Sequence, residues 1–266
     1  MFANERQAKI REILKSQNAV TTMALSQKFG VSVETIRKDL LLLEKNNELV
    51  RVHGGAVLAG SVKPYANLSK RLEEQKGEKR ELSLLAAKLV QEGDILALDS
   101  GSTAIELAEV LMKQFEHLTI VTYSMDVFER VSRHPYFDII LCGGHFLREE
   151  NAFYGGFTLS VLENTHVSKV FLCPSAVSLK NGICDYQPQL YEIQKKLITI
   201  GDEVIVLADS SKYERSALLK NCPMSAKYKY VSDSGLPEEI KEIYRNNDIH
   251  IITREDEIDE GFINFK

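Results

Sequence analysis

The sequence predicts an α/β protein in two parts, a small helical head that closes on a β-hairpin and a larger body built on a mainly parallel sheet. Three observations carry this. Up to about Asn47 every periodic segment has helical spacing, and a short alternating stretch with a Gly pair follows. Beyond Asp94, short apolar runs alternate with helical stretches, the pattern of a parallel sheet with covering helices. The charge is also divided: residues 1–60 hold nine Lys/Arg and six acids, a balance of +3, while the remainder carries -8. A basic head on an acidic body fits a nucleic-acid-binding module joined to a part that binds no nucleic acid.

In the head, helix one is expected over 5–15, burying Ile10, Ile13 and Leu14. Helix two, over 22–29, buries Leu25 and Phe29 at i, i+4, and Gly30 takes the left-handed conformation that ends it. Ser32 then caps a third helix with Glu34 in its first turn, where the helix dipole favours an acid. Ile36, Leu40 and Leu43 share the buried stripe of this helix. Glu34 and Lys38 lie opposite, with Thr35 and Arg37 on the flanks. Two short helices around a tight turn make the helix-turn-helix arrangement. As a recognition helix, the third would offer Arg37 to guanine O6/N7, Lys38 to guanine or phosphate, and Thr35 to phosphate or a thymine methyl. The alternating segment 49–53, with Arg51 and His53, then Gly54-Gly55, would be a wing on the DNA backbone. The candidate contacts to double-stranded DNA are Ser32, Glu34, Thr35, Arg37, Lys38, Arg51 and His53. A winged helix-turn-helix is thus expected over 1–57, a linker over 58–75 from its Gly, Ser, Pro and Asn content, and the second domain over 76–266.

In the body, Leu82, Leu85, Ala86 and Leu89 recur at helical spacing over 78–91, and Gly93 is a plausible stop. Strands are expected at 95–98, 118–121, 137–141, 169–172, 204–207, 228–231 and 249–252. Several are apolar at consecutive positions, as strands buried on both faces must be. Between the first strand and a helix over 104–112 lies Asp99-Ser100-Gly101-Ser102-Thr103. Such a loop is either an ordinary capped βα turn or an anion site, since it offers backbone N–H groups, hydroxyls and a helix N-terminus. A second loop, Asp209-Ser210-Ser211-Lys212, follows the strand at 204–207, and Lys212 is a mobile cation suited to phosphate. Both sit at strand carboxyl ends, where open parallel sheets bind ligands. Asp99, as an acceptor, should face hydroxyls or hold the loop rather than meet a phosphate. Gly143-Gly144 at another strand end allows close backbone approach.

The composition sets outer limits. With 266 residues, 44% hydrophobic and 27% charged, the chain is neither disordered nor fibrous. A membrane-spanning helix needs ~20 apolar residues, and no run approaches that. Residues 1–15 lack the apolar core of a secretory signal. Cys142, Cys173, Cys184 and Cys222 form no CxxC pair, so reduced thiols in a cytoplasmic protein are expected, with no metal site, no cofactor and no membrane partner.

The segment Phe29-Gly30-Val31-Ser32-Val33-Glu34-Thr35-Ile36-Arg37-Lys38-Asp39-Leu40, then Leu43-Glu44, then Arg51-Val52-His53-Gly54-Gly55-Ala56, closely resembles the DeoR family of bacterial transcriptional regulators. That family has F-x-V-S-x-x-T-I-R-R-D-L, a leucine-glutamate pair and R-x-H-G-G-A. Lys38 departs from the second arginine of the pattern, and lysine lacks the bidentate fork. The resemblance continues through Asp99–Thr103, similar to the family's D-x-G-[ST]-T, and through Asp209–Lys212, similar to D-x-S-K. Thr122-Tyr123-Ser124 stands at the family's T-N-S, and Ser175-Ala176 at its S-G pair. The resemblance implies an effector site of Asp99, Ser100, Gly101, Ser102, Thr103, Thr122, Tyr123, Ser124, Gly143, Gly144, Ser175, Asp209 and Lys212. Tyr123 replaces an amide with a larger phenol, which points to a different effector from the commonest sugar phosphates. Glu192, Lys195 and Lys196 resemble an E-x-x-K/R pattern of the family but read as a solvated helix face.

The family's second domain is similar to the ribose-5-phosphate isomerase fold, which implies that architecture for the body. It also raises an alternative, an isomerase-like sugar-phosphate enzyme with an appended DNA-binding head. Such an enzyme needs a general base, and Cys173-Pro174-Ser175-Ala176-Val177 after the central strand carries no carboxylate. No catalytic residue is therefore assigned. The resemblance implies a repressor of a sugar-metabolism operon, controlled by a phosphorylated sugar and acting as a homo-oligomer, dimer or tetramer. A third reading is a DNA-binding oligomer with no effector.

Overall fold

The computed structural model describes residues 2–17, 19–46, 48–52, 54–58 and 67–260. The head runs α1 (Ala3–Gln17), β1 (Ala19–Thr21), α2 (Thr22–Phe29), α3 (Val33–Lys45), β2 (Leu49–Val52) and β3 (Gly55–Leu58). Ile10, Leu14, Leu25, Ile36, Leu40 and Leu43 form its core, with Ile13 and Phe29 partly buried against it. Gly30 adopts φ +64°, a conformation cheap only for glycine, and its N–H returns to the Ser26 carbonyl. The turn is braced again where Ser26 Oγ donates to the Val31 carbonyl at 2.6 Å. Ser32 Oγ accepts from Thr35 N at 3.2 Å and opens α3 as its composition predicts.

Two features of the head depart from expectation. The segment before α2 is not all helical: β1 pairs antiparallel with β3, so the wing is a three-stranded sheet in the order β1-β3-β2. Three residues are too few to show alternation. The expected stripe of α3 also omits Asp39, which is 2% exposed and accepts from Arg6 Nε and from Gln7 at 3.0 Å. Gly54 lies in the turn of the wing, and Gly55 already belongs to β3. His53 lies outside the described residues.

The body begins earlier than its periodicity indicates. Within the segment expected as linker stands α4 (Leu68–Glu73), capped by Asn67, whose Oδ1 accepts from Lys70 N at 2.9 Å. Its Leu68 joins the body's core. Then follow α5 (Lys76–Ala87), β4 (Ile95–Leu98), α6 (Ser102–Gln114), β5 (Thr119–Thr122), α7 (Met125–Val131), β6 (Asp138–Leu141), β7 (His145–Leu147), β8 (Ala152–Tyr154), α8 (Gly156–Glu163) and β9 (Val167–Leu172). The chain continues through β10 (Ala176–Ser178), β11 (Gly182–Asp185), α9 (Pro188–Ile200), β12 (Gly201–Leu207), β13 (Leu219–Cys222), β14 (Lys229–Val231), α10 (Glu238–Arg245), β15 (Ile251–Ile252) and α11 (Glu257–Glu260).

The seven strands expected from apolar runs are the seven of the main sheet, in the order β15-β14-β12-β9-β4-β5-β6, with every pairing parallel. The consecutive apolar positions have the predicted cause. Leu96, Leu98, Phe171, Ile205 and Leu207 face the core under α5 and α6, whereas Ala97, Val170, Leu172, Val204 and Val206 face the core under α9. Both faces are covered. The helix expected over 78–91 ends at Ala87, and Leu89 and Val90 stay buried beyond it. The sequence also omits two small antiparallel sheets, β7-β8 and β10-β11-β13, which cap the carboxyl ends of the main strands with strands of three or four residues. No helix among the described residues is long and apolar enough to cross a membrane.

The Arg6–Asp39 pair ties α1 to α3 from inside the head, with side-chain exposures of 8% and 3%. Removing one partner strands a buried charge, at a cost of about 3–5 kcal/mol. Arg6→Met should therefore lower the head's unfolding transition by that amount, while Arg6→Met with Asp39→Leu should recover most of it. Urea unfolding followed by far-UV circular dichroism measures both.

Candidate functional site

Strand order fixes where a ligand site belongs. From β4 the chain moves outward to β5 and β6, then returns to the other side of β4 with β9. The order therefore reverses between β4 and β9, and open α/β sheets bind ligands in the crevice at such a reversal. Asp99 stands there at the end of β4, fully buried. Its Oδ1 accepts from Ser100 N at 2.8 Å and from the Tyr123 hydroxyl. Its Oδ2 accepts from Cys173 N at 2.9 Å, across the reversal, and from Gln194 Nε2 at 3.4 Å. Gln194 also donates to Asp185 Oδ2 at 2.9 Å and accepts from Asn221 at 2.7 Å. Ser175 Oγ and Tyr186 N take Asp185 Oδ1, at 2.8 and 2.7 Å.

This network explains the sequence departures. Tyr123, where the family pattern has Asn, reaches Asp99 and holds Ser100 Oγ at 3.3 Å, so the phenol is part of a buried knot rather than an open wall. Burial raises the Asp99 carboxyl to about 7, against the pull of its donors and with a further push from Asp185. Thr122 and Ser124 are likewise turned to structure. Thr122 Oγ1 donates to the Leu98 carbonyl at 3.0 Å, and Ser124 caps α7. Gly144 is needed for packing, because a Cβ there would fall 2.3 Å from Thr158 Oγ1, and Thr158 Oγ1 donates to the Gly143 carbonyl at 3.1 Å. Thr122, Tyr123, Ser124, Gly143, Gly144 and Ser175 thus support the rim, and the structure gives each an internal role.

The loop 99–103 meets its cations from an unexpected side. Gly101 takes φ +102° and caps α6 without a side-chain bond, leaving the start of a 13-residue helix uncapped by any hydroxyl or acid. Arg71 of α4 lies over this turn: a Cβ on Gly101 would be 3.3 Å from Arg71 Nη1. The same guanidinium pairs with Glu150, which is 2% exposed and accepts from Gln187 at 3.0 Å. Lys79 of α5, 5% exposed, donates to the carbonyls of Arg71 and Glu74. Burial lowers its ammonium to about 8. Asp209 opposes that shift, while Lys212 and Arg71 add to it. Lys212 and Asp209 therefore lie within electrostatic range of Lys79, and the two loops of the expected site share one neighbourhood. Among the described residues Lys212 makes no ion pair, and Asp209 Oδ2 is buried without a hydrogen-bond partner. Ser102 and Lys79 line a cleft of about 820 Å³ between α4–α5 and α6, within the range of small-molecule pockets.

The residues that the sequence does not reveal are Arg71, Lys79, Glu150, Asp185, Gln187, Gln194 and Asn221. Glu192 and Lys195 are exposed as expected, and Lys196 meets Glu163 at 3.6 Å; the residue of that helix that enters the buried network is Gln194 between them. All four cysteines are free, and no cluster suited to a metal occurs among the described residues.

On α3, Glu34, Arg37 and Lys38 are exposed, and Arg37 meets Glu34 at 3.4 Å with both side chains more than 60% open. Thr35 Oγ1 shares a 2.9 Å bond with Ser32 Oγ. Arg51 is fastened to Glu44 of α3 by its backbone N–H at 2.9 Å and its Nε at 2.7 Å, which locks the wing to the helix.

The sign of the Asp99 shift makes a pH prediction. A carboxyl at about 7 folded and 3.8 unfolded keeps its proton longer in the folded state. The stabilisation is complete below 3.8 and is lost as pH rises through 7, up to roughly 4 kcal/mol. The melting temperature of wild type should therefore fall, relative to Asp99→Asn, between pH 4 and 7, and the difference should be flat above pH 8. Differential scanning calorimetry across that range measures it.

Comparison with known proteins agrees with this layout. Residues 6–62 match the DeoR-like helix-turn-helix domain, and residues 74–234 match the DeoR C terminal sensor domain. The chain is 30% identical to a putative aga operon transcriptional repressor of Escherichia coli O157:H7, over 94% of this chain and 93% of that one. It is 31% identical to the HTH-type transcriptional regulator GolR of Listeria innocua, over 91% of this chain and 100% of that one. It is 30% identical to the lactose phosphotransferase system repressor of Lactococcus lactis subsp. lactis, over 81% and 85%. Among solved structures, a ribose 5-phosphate isomerase A from Methanocaldococcus jannaschii aligns with 53% of this chain and 55% of its own at 16% identity and a TM-score of 0.40. With a helix-turn-helix head, a sensor body and relatives matched along nearly its whole length, the chain belongs to the DeoR family of transcriptional regulators.

Proposed function

We propose that this protein represses a sugar-metabolism operon and that a phosphorylated sugar, bound at the carboxyl edge of the body's sheet, sets its affinity for operator DNA. The observation that carries the reading is Arg71 over the uncapped start of α6, with Lys79 lining the same cleft as Ser102, at the point where strand order reverses; Lys212 acts on Lys79 electrostatically. Cations beside a helix N-terminus suit a phosphate. The polar residues beyond it suit the hydroxyls of a sugar. The names of the relatives support the same class, one a lactose phosphotransferase system repressor and another an aga operon repressor.

The alternative, an isomerase-like enzyme, needs a carboxylate free to move a proton. At the reversal, each of the four oxygens of Asp99 and Asp185 accepts from a protein donor inside the buried network, whereas Asp209 Oδ2 at the end of the next strand has no partner. That favours a positioning role for Asp99 and Asp185. A turnover assay over common sugar phosphates separates the readings, and release of product would favour the enzyme. The body is also proposed to assemble at least two heads, because one short recognition helix makes too few base contacts for useful specificity.

Two expected outcomes test the proposal. With duplex DNA selected by the full chain from a random pool, Arg37→Ala should bind about 1–3 kcal/mol more weakly and lose preference at one base pair, as removal of a bidentate guanine contact does. Lys38→Ala should weaken selected and random DNA alike and flatten the salt slope by about one. In the second test, Lys212→Ala should bind the selected DNA as wild type does, but respond less when hexose phosphates are titrated in. Fluorescence anisotropy reads both, and equal responses from wild type and Lys212→Ala would remove Lys212 from the site.

A further inference from the structure

We propose that the body dimerises through the free edge of β6, which pairs antiparallel with β6 of a second copy about a two-fold axis at Ile140. The inference rests on the reading that the body assembles at least two heads, and it names the surface that does so.

β6 ends the main sheet, with β5 on one side and no strand on the other. The N–H groups of Asp138 and Cys142 donate to the carbonyls of Leu118 and Thr122, on the side of β5. Backbone groups alternate in direction along a strand, so the N–H and C=O of Ile139 and Leu141 point away from β5. Native sheets blunt such an edge with lysine, proline, a bulge or a very short strand. The opposite edge, β15, has only two residues. β6 has four, pairs with β5 without a bulge, and carries three aliphatic side chains beside a single charge, Asp138. An open edge of this kind is a template for another strand.

The side chains say which strand fits. Ile139 packs against the core that includes α6, so Ile140 faces the other side of the sheet, where it is 41% exposed. Directly opposed residues of an antiparallel pair share a face, so a second β6 fits with Ile140 opposite Ile140 and Ile139 opposite Leu141. This register pairs every outward N–H and C=O of Ile139 and Leu141. It also brings the two Ile140 side chains together in a non-hydrogen-bonded pair, where side chains approach most closely. Asp138 then faces Cys142, so like charges are not opposed. A two-fold axis at this point relates two bodies as paired half-sites require of two heads.

Four residues are too few to supply the about 800 Å² that each partner gives to a standard interface. The helix α8 extends the surface. It packs on α9, and its Thr158 Oγ1 donates to the carbonyl of Gly143, just beyond the end of β6. Phe157 and Val161 flank Thr158 on that helix and are exposed, Phe157 by 77%. Apolar side chains are thus open both on the edge strand and on the helix beside its end, as at sites of protein association.

The test uses the full chain in sedimentation equilibrium over a dilution series, with circular dichroism to check folding. Wild type should sediment as a dimer or a larger assembly. Ile140→Lys sets two ammonium groups opposite each other and should raise the dissociation constant about tenfold or more. Ile140→Glu should do the same. An equal mixture of the two variants should assemble again, because lysine of one copy then faces glutamate of the other. Ile140→Cys should give a disulfide-linked dimer under mild oxidation where wild type gives none, since the paired Cα atoms would lie ~4.5 Å apart. If the charged variants do not fold, the Ile140→Cys link decides. Folded Ile140→Lys that assembles as wild type does, a mixture that stays apart, or no link through Ile140→Cys overturns the β6 surface while the assembly of two heads stands. A monomeric wild type overturns the surface and the assembly together.

Discussion

The body is organised by one buried carboxylate. Asp99 collects donors from four places in the chain: the loop that follows β4, the end of β5 through Tyr123, the end of β9 through Cys173, and α9 through Gln194. A fully buried acid is costly unless its oxygens are satisfied, and here both oxygens are. The same satisfaction closes the crevice floor at the reversal of strand order. It also sets the path of the loop 99–103, because Ser100 N is turned inward to Asp99, and the chain then enters α6 through a glycine at positive φ. The start of α6, which lacks a side-chain cap, follows from where Asp99 points.

Much of this was legible in the sequence where one physical cause dominates. A strand covered on both faces must be apolar at consecutive positions, so 95–98, 169–172 and 204–207 stand out without any partner being known. Glycine after Phe29 and serine before Val33 mark a helix end and a helix start for local reasons, and the structure uses both in that way. The short elements are different. A three-residue strand such as β1 or β10 is defined by its neighbour across the sheet, and a six-residue helix such as α4 completes too few turns to show a period. Arg71 stayed out of the expected site for that reason, because its segment has loop-like composition and only the fold lays it against residue 101. Lys79 stands in a helix that was expected, but its period does not tell that its ammonium turns in to the carbonyls of Arg71 and Glu74. Tyr123 shows the converse. Its position was legible, but whether a side chain at a strand end faces a ligand or a buried acid depends on what the next strand carries.

Head and body both hold cations with acids from other elements, as the body does in Lys169–Asp94 and Lys241–Glu257. The body also buries two acids, Asp99 and Asp185, in one hydrogen-bond network. In the head, three of the four arginines are held by acids distant in the chain: Arg6 by Asp39, Arg11 by Glu48 and Arg51 by Glu44. These pairs fasten α1 to α3, α1 to the start of the wing, and the wing to α3. The head is small and its core modest, so such fastenings matter more than in a large domain.

This pairing decides what the arginines of the head can do. An arginine already committed to a buried or half-buried acid contributes little field outside and must break a pair to meet a base. Arg37 is different, since among the described residues its partner is the exposed Glu34 one helical turn away, at a distance where the pair is weak. Arg37 is thus the arginine of the head whose present pairing costs least to break. Over the first sixty residues the four arginines pair with Asp39, Glu48, Glu34 and Glu44, so the net charge of +3 rests on five lysines against Glu5 and Glu12. The most open of the four arginines is on the helix that follows the turn at Gly30.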